Sequence, residues 1–184
     1  MKYFTRNQLK LDTYEIKIIR YAILCIVSEF SKLLILFAIF CIGNHILEFL
    51  ISLLVLLPLR WFSGGLHLKT YRGCLITTVI FFFITVYIFP RLLPKSFLLN
   101  LFVLISTSIN FLIAPIPSSK RVGLFKHSLR KYKIYSLVYL IFYNIVIYFL
   151  HHKISFIIVG TIIAHTIQLL IAYSIKLRGD DKHE

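Results

Sequence analysis

The stretch His45 to Leu59, HILEFLISLLVLLPL, decides the fold. It is apolar enough for lipid, but it carries Glu48 near its start and Pro58 near its end. At about 1.5 Å per helical residue it is short for a hydrocarbon layer of about 30 Å. Two readings stay open: a span through a locally thinned bilayer, or one arm of a hairpin that dips in and returns.

The rest of the chain shows that the solvent is lipid. Of its 184 residues 59% are hydrophobic, with a mean hydropathy of +0.85. That is more apolar surface than a soluble core of this size can hide. Apolar segments recur at 21–42, 45–59, 75–90, 97–114, 134–150 and 154–175. The expected fold is therefore an all-α integral membrane protein of about six transmembrane segments, the second and third being the possible re-entrant hairpin. One polytopic domain is expected over 1–184, with no cleaved leader, because the first twenty residues are charged and no A-x-A-like site follows the first apolar run.

The net charge of +14 would suggest nucleic acid on a soluble protein. Here the cations follow the loops instead. With the N-terminus inside, Arg91, Lys95 and Lys153 lie outside and Lys32 lies within the first span. All the others of the 21 Lys and Arg fall on the cytoplasmic side, so both termini are expected there, with no nucleic-acid partner. Residues 1–20 alternate apolar and basic side chains, as an interfacial N-terminal helix does. The loop APIPSSKRVGLFKHSLRKYK, with its basic part at 115–133, is the largest polar segment; Pro115 and Pro117 end the fourth span. Its cations suit anionic membrane lipid.

The same orientation puts RWFSGGLHLKTYRGC, Arg60 to Cys74, on the cytoplasmic face as one loop. A cysteine at a helix start is a candidate nucleophile, since unpaired N–H groups and the helix dipole favour thiolate. His67 is a candidate base. On one continuous helix it would lie about 10 Å from Cys74 along the axis, so the pair needs a bend, which Gly73 and the loop can supply. Gly64 and Gly65 permit close approach of a substrate and offer oxyanion N–H groups, with Ser63 and Arg60 beside them. The competing reading is a solvated loop anchored by Arg60, Trp61 and Lys69. Cys25, Cys41 and Cys74 lack metal-ligand spacing, and neither metal nor cofactor is expected.

Arg60-x-x-Ser63-Gly64-Gly65-x-His67 followed by Cys74, between apolar segments of a chain this long, resembles the AgrB family of accessory gene regulator membrane peptidases. APIPSSKR resembles that family's proline-containing segment. The resemblance implies a thiol protease in the cell membrane with Cys74 as nucleophile and His67 as general base and acid. It would cleave the C-terminal tail from an AgrD-like precursor peptide through a thioester, then promote thiolactone or lactone closure to a quorum-sensing autoinducer. It also implies a homo-oligomer, a dimer.

A second class of function stays open: a small transporter or exporter with a polar path through Glu29 and Lys32 in the first span and His165 and Gln168 in the last. The bland expectation is that Glu29 and Lys32 pair, and that His165, Gln168, Asn110 and Asn144 bond across helices. No internal repeat supports transport.

Overall fold

The computed structural model describes residues 13–65, 70–92, 98–116, 129–150 and 152–180. His67, Lys69, Pro117, His151, the side chain of Cys25, residues 1–12 of the expected interfacial helix and most of the 115–133 loop lie outside the described residues.

Every described element is helical apart from one isolated β-bridge. Helix α1 is Thr13–Ile42 and α2 is Ile46–Ser63. Helix α3, Tyr71–Phe83, passes through a π-helical turn, Ile84–Ile88, into the short α4, Phe89–Leu92. Then come α5, Leu98–Ile113, α6, Leu129–Phe149, and α7, His152–Asp180. Among the described residues four stretches are long and apolar enough to cross a membrane: Ile46–Ser63, Tyr71–Leu92, Leu129–Phe149 and Lys153–Lys176.

The chain divides into two compact units, Met1–Ile39 and Phe40–Glu184. In the first, Lys32 donates to Glu29 at 2.6 Å, the expected pair one turn apart on α1. The second unit is built around α7, which packs against α2, α5, α6 and the α4 segment. Its residues Phe156, Ile157, Ile158, Val159 and Ile162 are all buried, as an all-round apolar helix requires. Val55 and Leu59 of α2, Leu99 and Val103 of α5, and Leu140 and Ile147 of α6 complete that core. Gly160 lets α4 approach, since a Cβ there would stand 2.7 Å from Phe89 Cβ. Large side chains such as Leu54, Phe142 and Phe149 face outward, where lipid is their solvent.

Buried hydroxyls stitch these helices together. Ser52 of α2 lies 2.8 Å from Thr161 of α7 and 3.2 Å from Thr85 of the π turn. Asn110 donates to Thr166 at 2.6 Å and Asn144 to Thr107 at 3.3 Å, as expected of both asparagines.

The structure moves two boundaries. Helix α2 does not stop at Pro58 but runs on to Ser63. A helical proline leaves the carbonyl four residues back without its N–H, here Leu54. The Tyr139 hydroxyl of α6 donates to that carbonyl at 3.1 Å and replaces the missing bond. With 18 residues, about 27 Å, α2 approaches a full crossing. Residues 13–20 are helical and continuous with residues 21–42 in α1. Helix α6 begins at Leu129, so Arg130, Lys131 and Lys133 belong to it and not to a loop; Lys133 sits 4.4 Å from the Phe111 ring centre. Tyr139→Phe is expected to lower stability by about 1 kcal/mol, the worth of one hydrogen bond. A melt of the detergent-solubilised protein should fall by about 2–4 °C; no shift would mean that the Leu54 carbonyl needs no donor.

Candidate active site

The stretch expected as one loop, 60–74, is two helix ends and a link. Arg60 to Ser63 form the last turn of α2, Tyr71 to Cys74 the first turn of α3, and only 64–70 lies between. Among the described residues before Cys74, the chain leaves helical geometry at Thr70, in the link, while Gly73 lies within α3. Thr70 is extended, at φ −106° and ψ 142°, and its hydroxyl accepts the Gly73 N–H at 3.3 Å as an N-cap. Gly73 is therefore already helical.

Cys74 follows it, half-buried, with a thiol and no disulfide. Its N–H donates to the Thr70 carbonyl at 3.1 Å, and its carbonyl accepts the Thr78 hydroxyl at 2.7 Å. The main chain of this residue is thus held on both sides. Side chains on a helix lean toward its N-terminus, which directs the thiol toward the positive end of the dipole. From Gly65 the chain reaches Thr70 in five steps, which bounds their separation at about 18 Å.

At the end of α2 the sequence folds more tightly than a Gly-Gly pair suggests. Gly64 takes φ +82° and ψ −153°, a conformation reserved for glycine. Its N–H donates to the Arg60 carbonyl at 3.2 Å, so it is engaged in capping α2. Gly64 pairs with Ile116 in the isolated parallel bridge, where the Ile116 N–H donates to the Ser63 carbonyl at 3.0 Å. The ends of α2 and α5 therefore meet, which puts the start of APIPSSKR beside SGG at one end of the helices. The Ala114–Pro115 peptide bond is cis. Arg60 lies half-buried across Gly65, with Nε 3.5 Å from where a Cβ would stand on that glycine.

Ser63 is fully buried. Its Oγ donates to the Leu59 carbonyl at 2.6 Å and lies 2.6 Å from Nε2 of His165, also fully buried on α7. This is the cross-helix bond expected of His165. Gln168 differs: its Oε1 is buried with no partner among the described residues. The link from Ser63 to His165 spans 102 residues and had no local signal in the sequence. Among the described residues no three His, Cys, Asp or Glu side chains come together to hold a metal.

What these features define is a polytopic helical protein suited to a membrane, with the end of α2 joined to the end of α5 and Cys74 at the start of α3, one short link along the chain. Comparison with known proteins makes the class specific. The chain belongs to the AgrB family: the model of accessory gene regulator B matches residues 1–171. It is 37% identical over 149 residues to an AgrB-like protein of Clostridium beijerinckii, covering 79% of this chain and 72% of that one. No solved structure matches it. Membership ties the chain to processing of the accessory gene regulator autoinducer, and so to an AgrD-like precursor peptide.

Proposed function

We propose that this chain is a membrane-embedded cysteine endopeptidase that removes the C-terminal tail of an AgrD-like peptide and promotes its cyclisation. The observation that carries the proposal is Cys74 in the first turn of α3, one short link from the glycine junction that ends α2, in a chain of this family. His67 lies in that link.

In the proposed reaction His67 takes the thiol proton and the Cys74 thiolate attacks the scissile carbonyl. The C–N bond then breaks, His67 gives its proton to the leaving amine, and the acyl group remains as a thioester. A thiol or hydroxyl within the peptide gives its proton to His67 and attacks that carbonyl; the ring closes as the C–S bond breaks, and the departing Cys74 thiolate takes the proton back from His67. A thiolate suits both steps, since it attacks readily and departs readily. Ring closure must outrun hydrolysis, which an apolar surrounding at the membrane favours by excluding water. Arg60 and the Gly64–Gly65 main chain are proposed to hold the peptide carbonyl or tail carboxylate. Gly64 serves only if its N–H leaves the Arg60 carbonyl when substrate binds. Ser63 is proposed to support this segment, because its hydroxyl is already engaged. The proposal sets the site on the cytoplasmic face of the cell membrane, in a dimer.

The alternative of transport gains no specific support. Lys32 is paired with Glu29 and His165 bonds Ser63, which leaves both in structural roles.

The test is intact-mass analysis of the protein in liposomes, incubated with the AgrD-like peptide encoded beside it. The expected result is a truncated peptide on Cys74, released by hydroxylamine, lost in Cys74→Ala and not formed in His67→Ala. Intact peptide together with fully alkylatable Cys74 in the wild type would overturn the proposal.

A further inference from the structure

We propose that His165 is a positioning residue for this reaction: through Ser63 it holds the end of α2, and with it Arg60 and the Gly64–Gly65 main chain, in one working geometry. The inference rests on the peptidase proposal and adds to it a residue far from the motif.

Proton accounting sets the direction of the bond. A serine hydroxyl has one proton, and a carbonyl oxygen only accepts. Ser63 gives its proton to the Leu59 carbonyl at 2.6 Å, so the 2.6 Å contact with His165 requires Nε2–H as donor. His165 is therefore the Nε2–H tautomer, and its Nδ1 is a bare acceptor with no partner among the described residues. Both ends of the bond are fully buried, so water cannot replace it.

Residue 63 is a junction. Its side chain is tied to α7, and its carbonyl to Ile116 beyond α5. The next residue has a backbone only glycine adopts and closes back on Arg60. Arg60 and Ser63 are three apart, on one face of α2. A shift of Ser63 therefore moves Arg60 and the glycine amides together. A displacement of about 1 Å at a reacting centre costs about a hundredfold in rate. Histidine is otherwise an expensive choice in the middle of a buried apolar helix.

The experiment compares single-turnover acylation of Cys74 by the same peptide across single and double variants, each checked for its melting temperature. His165→Leu keeps the bulk and removes the donor. Ser63→Ala removes the acceptor. Both are expected to slow acylation by about ten- to a hundredfold, with substrate concentration dependence changed less than about twofold. The double variant should be no slower than the slower single one, because both break the same link. His165→Gln places an N–H where Nε2 stood and should recover to within about threefold, whereas His165→Asn, whose amide stops at the Nδ1 position, should not. Losses that multiply in the double variant, a wild-type rate in His165→Leu, or His165→Gln as slow as His165→Leu at an unchanged melting temperature would each overturn the role. Failure of the wild type to form any adduct would instead remove the peptidase proposal, and the role with it.

Discussion

Changing Cys74 to serine is expected to lower tail release by at least about a thousandfold while leaving the fold intact. The two side chains are close in size, and the helix start depends on Thr70 and the Cys74 main chain, which the substitution does not touch. What changes is the chemistry. Sulfur is the more polarisable and more nucleophilic atom, and a serine hydroxyl is a weak nucleophile in its place. The second step suffers as well, since an alkoxide is a poorer leaving group than a thiolate. Any peptide that does acylate the Cys74→Ser variant is held as an ester, which should outlast the thioester of the wild type. Mass spectrometry of released tail, with the melting temperature as control, checks this. Tail release near the wild-type rate would sink the assignment of Cys74 as nucleophile.

Gly64→Ala is the substitution expected to damage the site most through the backbone. An added Cβ would stand 2.2 Å from the Ile116 carbonyl oxygen and 3.1 Å from its carbon. No side-chain rotation relieves a contact with main chain. The backbone at φ +82° adds its own strain for any residue with a Cβ. Strain of about 1–3 kcal/mol and overpacking of about 1–3 kcal/mol together give a cost of about 2–6 kcal/mol. The local way out is to open the bridge and give up the bond from Ile116 to Ser63. Gly64→Ala should therefore melt lower and also lose acylation in whatever fraction stays folded. Gly65→Ala serves as the contrast. Among the described residues its Cβ would meet only the Arg60 side chain, at 3.5 Å, an ordinary contact. Equally small effects of both substitutions would show that the pair acts as a flexible turn.

Much of this was legible along the chain because lipid imposes simple demands. Backbone groups must bond within helices and side chains must be apolar, so the segments around 21–42, 134–150 and 154–175 announce their helices by composition. The resemblance to the family was legible because Arg60, the glycines, His67 and Cys74 stand close together along the chain, at a spacing that can be read without the fold. The pairing of Glu29 with Lys32 followed from helical periodicity.

Other features were set only by contacts between distant parts. Pro58 reads as an interruption of the helix, yet Tyr139, 85 residues beyond Leu54 in sequence, serves the carbonyl that the proline leaves without a donor. Ser63 reads as an exposed donor beside two glycines, yet it is buried against His165. Gly-Gly reads as a loose turn, yet Gly64 is clamped by Ile116. Composition and spacing determined that this is a helical protein suited to lipid and which side chains could react. The tertiary structure decided which of their neighbours hold still, because hydrogen bonds and steric contacts act over a few ångströms in space, whatever the separation along the chain.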